Sequence, residues 1–262
     1  MDTTPRPVTA REVVATIADA PLEEARTLVE RYADDPRKQV RHAVEVAQRR
    51  IAREEAERER VLAMYSLMRS EGGEGLVLGV DEVGRGALAG PLTVAAVALP
   101  DEPVIWGLND SKRLAPARRE ALAARVAEVA LAVGIAHVEP EAIDAVGMAC
   151  ALRRAMARAI ADAGVEPATV LIDGNPVHVH ERERCLVKGD ARVACIAAAS
   201  IVAKVARDAL MVSYDDEWPG YHLAESKGYG SAEHIAAIRE RGLTPIHRRS
   251  FCGNFLETPA LF

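Results

Sequence analysis

Between Leu76 and Leu99 lies the run LVLGVDEVGRGALAGPLTVAAVAL, whose residue types and spacing point to chemistry. An apolar segment (Leu76, Val77, Leu78, Val80) delivers two adjacent carboxylates, Asp81 and Glu82, onto a glycine-rich turn, Gly84-Arg85-Gly86. After Gly90-Pro91 the chain returns as a second apolar run rich in valine. Charged side chains are costly to bury unless paired or metal-bound. Two of them at the end of a core strand therefore predict a hard-cation site. Arg85, held between glycines that let backbone approach a ligand closely, predicts a phosphate or ribose nearby.

Two further carboxylates join this pair. Val170-Leu171-Ile172-Asp173 reads as a short buried strand ending in a carboxylate. Neighbouring strand ends in such a sheet open onto one crevice, where ligands bind. Asp190 follows after a loop and Lys188-Gly189. Four converging carboxylates without four basic partners repel one another unless divalent metal holds them. Mg²⁺ or Mn²⁺ suits such an all-oxygen set. Two such ions serve phosphodiester hydrolysis by activating water and stabilising the leaving oxygen. Taken alone, Asp173-Gly174-Asn175-Pro176 is also a turn sequence and Asp190 an ordinary surface charge; the Asp81-Glu82 pair weighs against that.

The glycines of GRGALAG also follow a strand, as in a dinucleotide-binding turn. Here the preceding Asp-Glu pair would face a pyrophosphate with like charge. The chain after Gly90-Pro91 also continues as a strand, not a helix, which rejects that chemistry.

These residues have to be positioned by the elements around them. Residues 1–72 read as helical. Thr9 caps a helix through Ile17, Pro21 opens LEEARTLVERYA, and Asp35-Pro36, as N-cap and first residue, begins a long helix reaching about Arg69. On that helix Val40, Ala43, Val44, Ala47 and Ile51 form one apolar stripe, and RRIAREEAERERV supplies a solvated face. Gly72-Gly73-Glu74-Gly75 reads as a hinge. From Leu76 onward, strands at Leu76–Asp81, Thr93–Leu99, Gly134–Val138 and Val170–Asp173 alternate with helices. The helices are Ala115–Val133, Ala149–Ala163 and Ile196–Tyr214, with a last one near Ser231–Arg241. Lys188–Val193 reads as a turn or edge strand, and His178 and His180 as loop residues. The fold class is α/β, with a catalytic domain at 76–262 preceded by an all-helical N-terminal extension at 1–72.

Composition narrows the function classes. Apolar residues make up 49% and charged residues 27% of the 262 residues, the profile of a globular rather than a disordered chain. No apolar stretch is long enough to span a bilayer, and MDTTPRPVTARE lacks a secretory start, so a cytoplasmic protein with no membrane partner is expected. Cys150, Cys185, Cys195 and Cys252 show no CxxC pair and read as reduced structural thiols rather than a zinc site. The net charge of −6 weighs weakly against a nucleic-acid partner. It does not exclude one, because carboxylates gathered around metal concentrate negative charge locally while duplex contacts need only one basic face.

Seven segments in order resemble the ribonuclease HII family across roughly Leu76–Phe251: GVDEVGRGALAGP, LNDSKRL, LIDGN, KGDARV, IAAASIVAKVARDALM, SKGYGSAEHI and HRRSF. The resemblance implies a ribonuclease H-like mixed sheet flanked by helices. It also implies a two-ion endonuclease, using Mg²⁺ or Mn²⁺, that hydrolyses the RNA strand of RNA–DNA hybrids. The same enzyme would cut duplex DNA 5′ of a single embedded ribonucleotide, leaving 3′-hydroxyl and 5′-phosphate ends, and is expected to be a monomer. Carried over residue by residue, Asp81, Glu82, Asp173 and Asp190 are the metal-binding catalytic carboxylates. Gly84, Arg85 and Gly86 read the 2′-hydroxyl, the group that tells RNA from DNA, and Tyr229 packs against the adjoining deoxyribose.

Other segments fit supporting roles. Asn109, Ser111 and Lys112 sit on a polar loop suited to phosphate contacts. Ser200, Lys204 and Arg207 share one helical face, either as substrate contacts or as a solvated edge. Asp208 is expected to pair locally with Arg207, and His247-Arg248-Arg249 is either a duplex-contacting patch or surface charge. Ribonuclease HIII, which shares the fold, lacks the Gly-Arg-Gly turn and typically uses a glutamate as fourth carboxylate, so Gly84-Arg85-Gly86 and Asp190 point away from it. DPRKQV in the extension resembles a segment of some bacterial members. Two other classes stay open: a DNA nuclease or junction resolvase that ignores the sugar, and a catalytically silent hybrid-binding protein.

Overall fold

Helix-start signals near the N-terminus are read out where the sequence places them. The computed structural model describes residues 8–256. The first residues of MDTTPRPVTARE and the last of the 76–262 segment lie outside the described residues. Thr9 caps α1 (Ala10–Asp19): its Oγ1 accepts from the Glu12 N–H, and the Glu12 carboxylate accepts from the Thr9 N–H at 2.7 Å. This reciprocal pair satisfies two donors that the first turn leaves without partners. Pro21 is the N-cap of α2 (Leu22–Arg31).

The long helix α3 (Lys38–Gly72) begins later than Asp35-Pro36 predicts. The Asp35 carboxylate accepts from the backbone N–H of Arg37 and from its guanidinium, which holds the chain in a turn just ahead of the helix. The chain divides into two compact units, Met1–Arg60 and Val61–Phe262, with α3 contributing to both. In the first unit, the predicted stripe Val40, Val44, Ala47 and Ile51 is buried with Val13, Ile17, Ala25 and Leu28. In the second, Val61, Met64, Tyr65 and Met68 are core residues.

The second unit is built on a mixed sheet of order β3-β2-β1-β4-β5. Its strands are β1 (Val77–Val83), β2 (Leu92–Ala98), β3 (Ala132–Val138), β4 (Thr169–Asp173) and β5 (Glu183–Leu186). β1, β2 and β3 run antiparallel; β4 pairs parallel with β1 and with β5. The helices are α4 (Pro116–Val129), α5 (Pro140–Val146), α6 (Met148–Asp162), α7 (Ala194–Glu217), α8 (Leu223–Ser226), α9 (Ala232–Arg241) and α10 (Arg249–Leu256). Alternation along the strands sorts side chains into two layers. Val77, Val83 and Leu171 pack with the alanine-rich start of α7 and with α4. Leu78, Val80, Val170 and Ile172 pack with α5 and α6.

Several boundaries differ from the sequence reading. α4 stops at Val129 rather than Val133, and Ala132 and Val133 belong to β3. The alternation of buried and more exposed residues there outweighs the helix propensity of Ala and Leu. Gly134 is no helix stop. It lies where β3 crosses α6, and a Cβ there would meet the Ala159 carbonyl oxygen at 2.1 Å. Lys188–Val193 contains a 3-10 turn (Gly189–Ala191), and the edge strand is instead β5, whose charged residues suit an open sheet edge. His178 and His180 lie in the loop ahead of it, as expected. α5, α8 and α10 add three short helices to those the sequence predicts.

Candidate active site

β1 and β4 run parallel with Val80 opposite Ile172, so the next residues, Asp81 and Asp173, leave the paired region side by side. Both share parity with Val77 and Leu171, which places them on the α7 face. Glu82 has the opposite parity and lies in a cleft of about 330 Å³ that also takes in Asp173, Arg85, Asn175 and Arg153. The adjacent pair Asp81-Glu82 thus straddles the sheet at its open end. Asp190 arrives on the 3-10 turn, which is tied to the same place because the Gly189 N–H donates to Asp173 Oδ1 at 2.6 Å.

Electrostatics bind the four into one centre. Burial raises the Asp81 carboxyl well above the usual carboxylate range, and Glu82 and Asp173 push it further; Ser200 hydrogen bonding opposes them. Glu82 is raised by burial and by Asp173, against Arg85 and Lys112. Asp190 is raised by burial, then by Asp173 and Asp110, against Lys112. Asp173 is the common neighbour of all three. Among the described residues, no three carboxylate, histidine or cysteine side chains are already gathered as a metal-holding group. The donor chemistry nevertheless fits a hard divalent cation: all-oxygen ligands, mutually repelling, partly desolvated. Asp81 accepts the Glu82 N–H on one oxygen.

The Gly84-Arg85-Gly86 turn is fixed from beneath by Arg248, and the chain that follows it by Arg207; neither is a substrate-facing or solvated group. Arg248 and Arg207 are both 0% exposed. Arg248 donates to the carbonyls of Gly84 (2.6 Å), Arg85 (3.1 Å) and Gly90. Arg207 donates to Ala89, Pro91 and Lys227. In a trans peptide the carbonyl and the following N–H point opposite ways. With the Gly84 and Arg85 carbonyls drawn inward, the N–H groups of Arg85 and Gly86 therefore face outward. Gly84 itself has φ +87, and a Cβ there would meet Arg207 Nε at 2.2 Å, so only glycine fits. Space over Gly86 is open. The Gly84 N–H donates to the Tyr229 hydroxyl at 3.2 Å, and the Arg207 guanidinium lies over the Tyr229 ring. The turn thus presents two free donors and the exposed Arg85 side chain beside the carboxylates, with Arg85 Nη1 at 3.7 Å from Glu82.

The remaining predicted residues divide. Lys112 borders the centre, as its effect on Glu82 and Asp190 shows, and is exposed. Asn109 accepts the Asp110 N–H through Oδ1. Ser111 and Ser200 are buried, their hydroxyls 2.9 Å apart, which places them behind Asp81 rather than on a face open to ligand. Lys204 is occupied by Asp208 at 2.6 Å, with Arg119 at 3.7 Å from the same carboxylate. The expected Asp208–Arg207 pair is corrected by these contacts: Arg207 points into backbone carbonyls. His247 and Arg248 are neither duplex patch nor surface charge, being buried cross-links. A positively charged triplet in sequence gave no signal of this, because burial of a guanidinium requires carbonyl partners contributed by distant segments.

The mixed sheet, its helical layers and the carboxylates at its open end define a ribonuclease H-like fold. The structure resembles the ribonuclease H2 of Pyrococcus horikoshii OT3, with a TM-score of 0.60 at 24% identity, over 70% of this chain and 100% of that one. It also resembles Bst-RNase HIII in complex with Mn²⁺, with a TM-score of 0.58 at 21% identity, over 73% of this chain and 72% of that one. At these identities the likeness is one of fold. Sequence comparison is more specific. A model of ribonuclease HII matches residues 78–254, and one of the ribonuclease HII N-terminal domain matches residues 9–69. The ribonuclease HII of Enterococcus faecalis is 40% identical over 243 residues, 92% of this chain and 94% of that protein. The chain belongs to the ribonuclease HII family and is a ribonuclease H.

Proposed function

We propose that this enzyme hydrolyses the RNA strand of RNA–DNA hybrids and cuts duplex DNA 5′ of single embedded ribonucleotides, leaving 3′-hydroxyl and 5′-phosphate ends. The observation that carries this is the placing of Asp81, Glu82 and Asp190, all raised and all facing the charge of Asp173, beside a turn that offers two outward N–H groups. Asp81, Glu82, Asp173 and Asp190 would hold magnesium or manganese ions. Such ions supply an activated water and charge for the leaving oxygen. The Mn²⁺ complex of a fold relative supports a divalent requirement.

The chain's own residues bind and orient. The Arg85 and Gly86 N–H groups donate to the oxygen of a sugar hydroxyl, and the Arg85 guanidinium approaches the adjoining phosphate. The half-exposed Tyr229 ring packs on the neighbouring sugar, where an extra hydroxyl would be crowded. Lys112 and Asn109 steady the strand through its phosphates, while Ser111 and Ser200 hold Asp81 in place. None of the described helices is long and apolar enough to cross a membrane, and unpaired cysteine spacing supports a reducing, cytoplasmic setting. A monomer suffices for this site.

The test is cleavage of a DNA duplex carrying one ribonucleotide, with and without Mg²⁺, beside Asp81→Asn. One metal-dependent cut 5′ of the ribonucleotide, lost in the variant, is expected. Equal cutting of an all-DNA duplex or four-way junction would overturn the reading, as would tight hybrid binding without turnover.

A further inference from the structure

Two histidines away from the carboxylates are buried and face each other. His234 on α9 is 0% exposed and His247, just before α10, is 2% exposed, with their Nε2 atoms 3.1 Å apart. Their other nitrogens are engaged as well. His234 Nδ1 lies 2.8 Å from the Tyr229 carbonyl oxygen. His247 Nδ1 lies 3.0 Å from the Thr244 backbone N and 2.8 Å from its hydroxyl.

The ends of this chain fix its direction. A carbonyl oxygen only accepts and a backbone N–H only donates. His234 therefore carries its proton on Nδ1, which leaves its Nε2 as acceptor. His247 must then donate from Nε2, and its Nδ1 accepts from Thr244. The neutral imidazoles have opposite tautomers, and each is dictated by its neighbour. Burial keeps both neutral, holding His247 down to about 4.

The relay ends on a residue that needs an anchor. The Tyr229 ring is 37% exposed, so packing alone does not fix it. Its hydroxyl meets the Gly84 N–H, while the preceding Gly228 carbonyl accepts from Leu88 and Ala89 at the far end of the same turn. The Tyr229 carbonyl takes the Ser231 N–H and the His234 donor. We propose that Thr244, His247 and His234 form a one-way hydrogen-bond relay that positions Tyr229, and through it the Gly84-Arg85-Gly86 turn, for reading the sugar. These are positioning residues and touch no substrate. The sugar-reading role rests on the function proposed above; the relay itself does not.

Nitrogen-15 NMR of the full chain tests the relay directly. At neutral pH, His234 is expected as the Nδ1–H tautomer and His247 as the Nε2–H tautomer; matching tautomers, or a charged ring, would overturn it. Amide exchange at Gly84 tests the coupling. His247→Phe removes the donor and should lower Gly84 protection on the order of tenfold, whereas His247→Gln, which keeps a donor near Nε2, should restore it. Should His247→Phe fail to fold, Thr244→Val, which deletes only the hydroxyl arm, gives the same comparison with a smaller loss. Unchanged Gly84 exchange in a folded variant that lacks the donor would sink the coupling. The cleavage assay then separates the two levels. With coupling present, the variants should spread cuts to neighbouring linkages on the order of tenfold more than wild type. A wild-type enzyme with no preference for the ribonucleotide would refute the proposed function and leave the tautomer and exchange results standing.

Discussion

The Arg248 guanidinium, buried away from all solvent, donates to the Gly84 carbonyl at 2.6 Å and so holds from beneath the turn that stands beside Asp81 and Glu82. Its other donors reach Arg85 and Gly90, and among the described residues no carboxylate is bonded to it. A planar fork with donors in fixed directions makes this possible; an ammonium offers fewer, less oriented donors. Arg248→Met would strip the guanidinium donors from the Arg85 and Gly90 carbonyls and leave Gly84 only the Ala87 N–H, and should destabilise by about 3 kcal/mol or more. Arg248→Lys should recover part of that. Urea unfolding of the two variants measures it, and equal stability of both with wild type would contradict the clamp.

Gly84 and Gly86 look alike in sequence and differ in structure. Gly84 cannot gain a Cβ without striking Arg207, and its backbone is left-handed. Gly86 meets nothing within 4 Å and lacks that backbone constraint. Gly84→Ala should therefore fold poorly. Gly86→Ala should unfold within about 0.5 kcal/mol of wild type yet lose discrimination, because the methyl group occupies the space a ribose would enter. Thermal unfolding paired with cleavage mapping decides it. A Gly86→Ala enzyme that still cuts only 5′ of the ribonucleotide would mean the turn does not touch the sugar.

The four carboxylates are gathered at a cost in stability. Asp81 is 6% exposed and opposed by Glu82 and Asp173. Asp81→Asn removes one repelling charge while keeping an oxygen for the Glu82 N–H. The metal-free variant should melt higher than metal-free wild type by a few degrees, since about 1 kcal/mol moves a chain of this size by roughly 2–4 °C. Added Mg²⁺ should raise the wild-type midpoint and leave the variant's nearly unchanged. Calorimetry with and without the ion reads both; a lower midpoint for the variant would show that Asp81 is held by favourable contacts instead.

Much of this was legible because the signals are local. Asp81, Glu82 and Asp173 lie at the ends of strands whose apolar runs are continuous, and Thr9 and Pro21 start helices where their types predict. What escaped depends on distant segments meeting. Ala-Leu-Ala-Val before Gly134 has helix propensity, yet Ala132 and Val133 pair with Ala98 and Val97 of β2 as strand. Arg207, Arg248 and His247 read as substrate-contacting or solvated groups because nothing nearby in sequence reveals the carbonyls and the histidine that receive them. Tyr65 lies in a charge-rich helix, yet its hydroxyl accepts the Ile105 N–H inside the core. Periodicity alone did not separate the stretch of α3 after Arg60 from the solvated face before it.

Acid provides a test of the histidine pair, because two groups of opposite sign act in one molecule. The unfolded chain takes up a proton on His247 near the ordinary value of 6.5, whereas the folded chain resists until about 4. Between those values the unfolded state binds more protons, so this contribution to stability falls as pH falls. It is complete above about pH 6.5 and lost progressively toward 4, at about 1.4 kcal/mol per pH unit, roughly 3 kcal/mol in all. His234 acts in the same direction. Asp81, Glu82 and Asp190 act oppositely: their raised carboxyls bind protons more readily in the folded state, which favours folding as pH falls. The total profile therefore conceals the histidines, and the difference between wild type and His247→Gln reveals them. Chemical unfolding of both at pH 7.5, 6 and 5 should show the wild type losing ground relative to the variant as acid is added. A constant difference across that range would mean that His247 is not held neutral by the fold.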